Sequence, residues 1–463
     1  MRAAWWKMDS SALQRRPMLW PMRKNRERIV PDSLPLTLRA YRVLSTAATP
    51  LVPLLISRRL RAGKEHPERW TERRGVARFE RPRGPLVWVH GASVGELVSV
   101  IPLIEQICMH NFAVLVTSGT RTSATLAEQR MPKGVLHQFV PFDAPRFVTR
   151  FLDHWKPDLG LFVEADLWPN MILSSTERNI PLILVNGRMS ERSFDRWRHV
   201  PHTIATLLRR FDLCLAQSAT DATRYAELGA PRLGTTGNLK LDVPAPPVAD
   251  DRLRAAKFAI GQRPTIAAAS THPGEETLLI DVHRRLHTSF PGLLTIIVPR
   301  HPDRGRVIAG MATAAGLKAV LRSTGDLPRL DTEIYVADTL GELGLIYRLA
   351  AVVFMGGSLT NNGGHNPVEP AKLAVPIVHG PHVWNFAEIY AALDAAHGAE
   401  QVSDAGKLAV KIGAWLTDAA AREAVANAAL TTMDSLCGAL TRTLTALDPY
   451  LMQLRLQKGP SNA

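Results

Sequence analysis

From residue 85 onward the chain alternates short β-branched apolar runs with helical stretches, and this alternation restricts the fold more than any other feature. The runs are Leu86–Val89, Ala113–Thr117, Leu159–Val163, Leu182–Val185 and Leu213–Ala216. Each is followed by a glycine-rich or polar turn and then by a helical pattern, which is the rhythm of βαβ units and a parallel sheet covered by helices. The rhythm stops at Asp242–Asp251, DVPAPPVADD, which reads as a linker because its three prolines interrupt any regular element. It resumes at Thr265–Ala268, Leu294–Val298, Ile334–Val336, Val352–Met355 and Val375–Val378. The pattern predicts an α/β protein of two doubly wound, Rossmann-like domains facing across a cleft. In open sheets of this kind ligands bind outside the carboxyl ends of the strands.

Charge is unevenly spread. Residues 1–80 carry 18 Lys+Arg against 7 Asp+Glu, so +11 of the formal net charge of +14 sits there. A basic amino-terminal region suits an anionic membrane surface or a nucleic acid. Its neighbour Val43–Ser57 favours the membrane: it is uncharged, flanked by Arg42 and by Arg58 to Arg61, and too short to span, with Pro50 and Pro53 inside it. A proline-broken core helix is the alternative reading. Nucleic acid is disfavoured because the charge is not interleaved with aromatics. Residues 1–33 read as a disordered basic extension and 34–62 as a membrane-associated segment. Then follow one Rossmann-like domain over 63–241, a linker over 242–251, a second Rossmann-like domain over 252–440, and a carboxyl-terminal helix and tail over 441–463. Three widely separated cysteines (Cys108, Cys214 and Cys437) suggest a reducing compartment.

The strand ends of the second half carry the chemistry. Leu294–Val298 leads into Pro299–Arg304, PRHPDR; Ile334–Val336 into Ala337–Gly344, ADTLGELG; and Val352–Met355 into Gly356–Ala371, GGSLTNNGGHNPVEPA. Glycines let a ligand approach the backbone, and a helix beginning near Asn366 aims N–H groups at an anion. Glu369 in that first turn can accept sugar hydroxyls. With no P-loop present, the set suits a nucleotide bound for something other than ATP-type phosphoryl transfer.

In the order HGASVGE (His90–Glu96), SGT (Ser118–Thr120), EADLWPN (Glu164–Asn170), NGRMSERS (Asn186–Ser193), TGNLKLD (Thr236–Asp242), STHPGEE (Ser270–Glu276), PRHPDR, DTLGEL (Asp338–Leu343) and GGHNPVEPA (Gly363–Ala371), the chain resembles the bacterial 3-deoxy-D-manno-octulosonic acid (Kdo) transferases of lipopolysaccharide synthesis. The resemblance runs from about residue 36 to about residue 450. It implies a GT-B fold with an amino-terminal membrane-associated segment at the cytoplasmic face of the inner membrane. It further implies CMP-Kdo as donor, a lipid A precursor (lipid IVA) as acceptor, and inversion at the anomeric carbon. The family's donor-binding positions fall on Pro299, Arg300, Leu340, Gly341, Glu342, Asn366, Pro367, Val368 and Glu369, and its general base on Glu96. Ala165, Asp166, Gly187 and Gly91 stand where the family usually has Thr, Glu, Ala and Ala.

These assignments make chemical sense. Inverting transfer needs one base to take the proton of the attacking hydroxyl, and a cation to offset charge on the leaving nucleoside monophosphate. Glu96 and Arg300 suit those parts. Ser93, Glu164, Asn186 and Arg188 are expected on the acceptor or donor-sugar side, although Glu164 pairing internally and Trp168–Pro169 packing a turn is an equal reading. No metal is expected: no Asp-x-Asp stands by the nucleotide loops, and His301, His365 and His379 lack ligand spacing. A UDP-sugar enzyme of the same fold and a non-catalytic membrane-surface module are the alternatives. Ser93-x-x-Glu96 also fits a capping box, with Glu96 reaching back to the Ser93 N–H. The sequence leaves open whether Glu96 is a cap or a base.

Overall fold

The computed structural model of the chain describes residues 34–164 and 167–458. The extension expected over 1–33 lies outside them. The chain divides into two compact units: residues up to Leu97, Leu103–Thr236 and Thr441 onward form the first, and 98–102 with Gly237–Leu440 the second.

The first unit holds strands β1 (Leu86–His90), β2 (Ala113–Ser118), β3 (Leu136–Phe139), β4 (Leu159–Val163), β5 (Leu182–Gly187), β6 (Leu213–Ala216) and β7 (Leu233–Thr235). Their spatial order is 3-2-1-4-5-6-7, and every pairing is parallel. Strands β1, β4 and β5 are buried throughout, as continuous apolar runs require when helices cover both faces. The second unit repeats the plan with β8 (Thr265–Thr271), β9 (Leu294–Pro299), β10 (Ala319–Leu321), β11 (Ile334–Val336), β12 (Val352–Met355), β13 (Ile377–His379) and β14 (Ala399–Gln401). Their order is β10-β11-β9-β8-β12-β13-β14, again all parallel. Its sheet has an apolar cluster on each face, one around Tyr347 and Tyr390, the other around Phe354 and Trp415.

The amino-terminal run is two helices, Leu36–Ala47 and Val52–Arg61, separated by a single turn over Thr49–Leu51 that carries Pro50. Among the described residues no helix is long and apolar enough to cross a membrane. Each helix buries one face of the first unit. Leu38 enters the main core, while Val52 and Ile56 pack on Ala144 and Phe147. Tyr41 donates to the Asp143 carboxylate at 3.0 Å, and Arg42 pairs with Glu177 at 2.9 Å. The opposite faces stay exposed: Leu36, Val43, Leu44, Leu51, Leu54 and Leu55 all lie on the surface.

Part of the basic excess is structural. Arg69 and Arg73 are buried, the first paired with Glu72 at 2.8 Å and the second with Glu65 at 3.1 Å, and both stack over Phe139. Their charge is therefore spent inside the fold. The proline-rich stretch after Asp242 is held by the second unit: Val243 O accepts from Lys372 Nζ at 2.7 Å, and Pro246 O from Arg348 Nη1 at 2.7 Å. Asp250 and Asp251 begin the Asp250–Ile260 helix, where acids favour the first turn. The last helix, Ala439–Lys458, returns from Thr441 to the first unit.

Candidate active site

In the first unit, β1 ends at His90 and the backbone turns through Gly91, Ala92 and Ser93 into the Val94–Met109 helix. Ser93 is the N-cap, its hydroxyl accepting the Glu96 N–H at 3.3 Å. The Glu96 carboxylate folds back over the same turn. Its Oε1 accepts from the Ser93 hydroxyl at 2.7 Å and its Oε2 from the Ala92 N–H at 2.7 Å. The capping box expected from Ser93-x-x-Glu96 thus reaches one residue further back, to Ala92. Glu96 is half-buried. The turn is braced from β2: Gly119 N–H donates to Ala92 O at 3.0 Å, and Arg73 Nη2 to Gly119 O at 2.7 Å. A Cβ at Gly119 would stand 3.0 Å from Ala92 O, tighter than an ordinary contact, so glycine suits this close approach.

The neighbouring strand ends carry the other first-unit residues. Glu164, after β4, and Asn186, within β5, both have left-handed backbones, with φ of 60° and 54°. Such conformations cost a non-glycine residue on the order of 1–2 kcal/mol and cluster where function demands them. Tyr225 ties the two ends together, its hydroxyl within hydrogen-bond distance of both Glu164 O (3.3 Å) and Arg188 O (3.2 Å). Asn186 is fully buried and its carbonyl accepts from Gln217 Nε2 at 3.0 Å, whereas Arg188 is exposed. Because β1, β4 and β5 are neighbours, Glu164 and Asn186 stand about 5 and 10 Å along the sheet from the Glu96 turn. Trp168 caps the Pro169–Glu177 helix and keeps a partly exposed ring. Gly187 is crowded: a Cβ there would lie 3.1 Å from the Tyr225 ring and 3.2 Å from Leu215 O. The glycine therefore fits the close approach of Tyr225. Ala165 and Asp166 fall outside the described residues.

In the second unit the ends of β9, β8 and β12 lie side by side. Arg300 follows β9, its N–H donating to Thr271 O at 3.0 Å and its side chain exposed. Around it stand three imidazoles. His272 Nε2 lies 2.8 Å from His365 Nε2 with the rings parallel, and the His301 ring centre is 6.1 Å from that of His272. Burial, then Arg300 and the other two histidines, push the His365 pKa down to about 4, and burial also lowers that of His272. These shifts leave His365 and His272 as neutral imidazoles near pH 7, so Arg300 carries the positive charge of the patch and the rings offer hydrogen-bonding groups beside it, a set suited to a phosphate. His379 is not part of it, since its ring is buried between Gly380 O and Asp394.

The glycine loop over this patch is fixed by a residue the sequence reading did not single out. Glu275 is fully buried, and its carboxylate accepts four backbone N–H groups: His272 (3.0 Å) and Gly357 (2.7 Å) on Oε2, Ser358 and Leu359 (both 3.1 Å) on Oε1. Asn385 Nδ2 holds the far side through Asn362 O and Gly364 O, and Tyr390 donates to His365 O at 2.8 Å. The pair Glu275–Glu276 directly after Gly274 was the available signal, two acids at a helix start.

The remaining donor positions divide. Pro299 ends β9. Asn366 Oδ1 accepts the Val368 N–H at 3.1 Å, with Pro367 and Val368 buried and Glu369 half-buried. The helix there, Val368–Lys372, has only five residues, so its dipole is a weaker anion partner than expected. Leu340 and Gly341 form an exposed turn after β11. Glu342 is not presented to a ligand in the way its position suggests. Arg322 grips it with two hydrogen bonds, of 3.0 and 2.9 Å, Thr339 donates to it as well, and the Arg322 contact holds its pKa below the usual range.

A family model for 3-deoxy-D-manno-octulosonic-acid transferases matches residues 68–243. The 3-deoxy-D-manno-octulosonic acid transferase of Haemophilus influenzae is 35% identical over 81% of this chain and 89% of its own. That of Bordetella pertussis is 33% identical over 82% of this chain and 90% of its own. Among solved structures, a glycosyltransferase from Rickettsia africae is 11% identical and covers 82% of this chain and all of its own (TM-score 0.54). A UDP-N-acetylglucosamine 2-epimerase described as putative, from Listeria monocytogenes, is 13% identical over 80% of this chain and 97% of its own (TM-score 0.53). The structural likenesses support the two-domain GT-B fold.

Proposed function

Because the chain belongs to the 3-deoxy-D-manno-octulosonic acid transferase family, we propose that it moves Kdo from CMP-Kdo to a lipid A precursor, with inversion at the anomeric carbon and Glu96 as general base. The observation that carries the donor half is the patch of Arg300, His272, His301 and His365 beneath a glycine loop pinned by Glu275. The phosphate of CMP sits against Arg300 and the loop backbone, and the cation offsets charge as CMP departs. Glu96 takes the proton of the attacking sugar hydroxyl. The Ala92 N–H and the Ser93 hydroxyl hold its carboxylate in one orientation. Glu164, Asn186 and Arg188 line the sugar side. No step in this scheme requires a metal at the donor.

The acceptor is a lipid, and the exposed leucines of the Leu36–Ala47 and Val52–Arg61 helices support a docking face on the cytoplasmic side of the inner membrane. Arg58 and Arg61, exposed in the last helical turn, match anionic headgroups. Incubation with CMP-Kdo and a tetraacylated lipid A precursor, read by product mass, tests the whole reading. A product heavier by one or more Kdo units is expected. An unchanged acceptor, or equal transfer from a UDP-sugar, overturns it.

A further inference from the structure

At the opposite edge of the second sheet, the last turn of the Glu275–His287 helix faces the residue that precedes β11. His283 and His287 are four residues apart and share one face of that helix. Glu333 lies opposite, and its Oε1 is 3.9 Å from both His283 Nε2 and His287 Nδ1. All three ligand atoms lie within 4.8 Å of one another. We propose that His283, His287 and Glu333 form a binding site for a divalent transition-metal ion of zinc type.

Three observations point to a ligand here rather than to a plain ion pair. First, His283 is wholly buried, yet among the described residues its Nε2 has no hydrogen-bond partner, and neither does His287 Nδ1. An unpartnered imidazole nitrogen sealed from water is costly, and a metal ion would satisfy both at once. Second, the outer atoms are already oriented as metal ligands require. His283 Nδ1 is 2.8 Å from Thr295 Oγ1, which fixes the ring and turns Nε2 toward the site, and Glu333 Oε2 accepts the Lys318 N–H at 2.9 Å, leaving Oε1 to face the imidazoles. Third, the donor set is two neutral nitrogens and one carboxylate oxygen, which favours zinc over calcium or magnesium, with a water in the fourth position. Tetrahedral bonds of about 2.1 Å place ligand atoms about 3.4 Å apart. Closing from 3.9 Å is a small movement, and His287 and Glu333, exposed at 39% and 22%, have room to make it.

The surrounding charges leave the site near neutral before an ion enters. Arg263 acts on His283 from one side and Lys318 flanks Glu333, while Asp331 is paired with Lys318 at 3.0 Å and acts on Arg263. Arg263 is itself tied to Leu330 O at 2.8 Å. An ion here pins the end of the helix whose first residue, Glu275, holds the glycine loop. Eight residues separate Glu275 from His283, about 12 Å along the axis, so the metal acts on the support of the donor site and not on the reacting atoms.

The test uses the full chain, stripped with a chelator and dialysed, then titrated with zinc alone. One equivalent is expected to bind, raising the melting temperature by mass action. His287→Ala and Glu333→Gln should each weaken binding by more than the roughly 10–100-fold typical of losing an outer-shell partner, with the melting of the metal-free protein unchanged. Cobalt in place of zinc should give the visible absorption of a four-coordinate nitrogen–oxygen site, lost in His287→Ala. Absence of stoichiometric binding overturns the proposal. So does full affinity in both variants, or loss of binding in His365→Ala instead, which would move the metal to the donor patch.

Discussion

Replacing Glu275 by glutamine changes one atom and should dismantle the donor loop. The carboxylate accepts two N–H groups on each oxygen, at 2.7–3.1 Å, and is sealed from solvent. Glutamine offers one oxygen and one amino group, so two of the four N–H groups must lose their acceptor and face another donor. Each stranded buried donor costs about 1–3 kcal/mol, giving about 2–6 kcal/mol for the pair. The loop 356–359 can escape that cost by moving, and it is the segment that would cradle the phosphate. The loss therefore appears first as weakened CMP binding, and about 2 kcal/mol corresponds to roughly 30-fold in Kd. Calorimetric titration with CMP measures it, with thermal unfolding alongside. Glu276→Gln is the comparison: Glu276 is equally buried, but its partners are Thr271 at 3.5 Å and Arg304 at 3.4 Å, so a smaller effect is expected. CMP affinity within about threefold of the parent, with an unchanged melting temperature, would refute the assignment.

Glu96→Gln should leave CMP affinity near the parent value and abolish transfer, and substantial residual transfer removes Glu96 as the base. Arg300→Ala should weaken CMP binding by roughly 10- to 150-fold, the worth of one charged hydrogen bond of about 1.5–3 kcal/mol; equal affinity takes Arg300 out of the donor site. Leu44→Glu with Leu54→Glu, both on exposed faces, should abolish flotation with anionic vesicles while the melting temperature holds, and retained flotation refutes the docking face. Acid should destabilise the first unit. Burial lowers the pKa of His90 to about 4 and of His137 to about 3, so the stability they confer is complete above pH 6.5 and is lost as pH falls toward 4. Two such groups lose about 2.7 kcal/mol per pH unit. Asp143 opposes them below pH 6, because burial raises its pKa to about 6 and protonation then relieves a cost of about 1.4 kcal/mol per unit. The net expectation is a fall of order 1 kcal/mol per unit, and denaturant midpoints that stay level or rise between pH 6 and pH 4.5 refute it.

The interior of both sheets was legible because its strands are continuous apolar runs. Leu159–Val163, Leu213–Ala216, Ile334–Val336 and Val352–Met355 lie where the pattern places them. Several others run one to three residues further, to His90, Gly187 and Thr271, where polar residues continue the ladder that apolar periodicity cannot detect. The strand expected over Val375–Val378 is Ile377–His379, since Pro376 lacks the N–H a ladder needs. The four strands with no sequence signal, Leu136–Phe139, Leu233–Thr235, Ala319–Leu321 and Ala399–Gln401, all lie at or next to sheet edges, and mixed burial weakens the pattern there. In the site, the glycine loop and Arg300 were readable from composition. Glu275 had only the acid pair at a helix start as its signal, and Tyr225 and Asn385 had none, because each acts on backbone groups elsewhere in the chain. His283 and His287 were not singled out, because nothing in sequence connects them to Glu333.

The two readings of Glu96 rest on the same geometry and do not compete. The Ala92 N–H holds one carboxylate oxygen and the Ser93 hydroxyl the other, so the cap fixes the orientation of the group that the proposed base would use. Glu96 stands in the first turn of a sixteen-residue helix, where an acidic side chain is well placed against the helix dipole. The cap also removes the freedom that a glutamate at a helix surface would otherwise lose on binding. The position is further supported from outside the helix, by the contact of Gly119 with Ala92 and of Arg73 with Gly119. Under the proposed function, helix capping is what orients this half-buried glutamate as a proton acceptor.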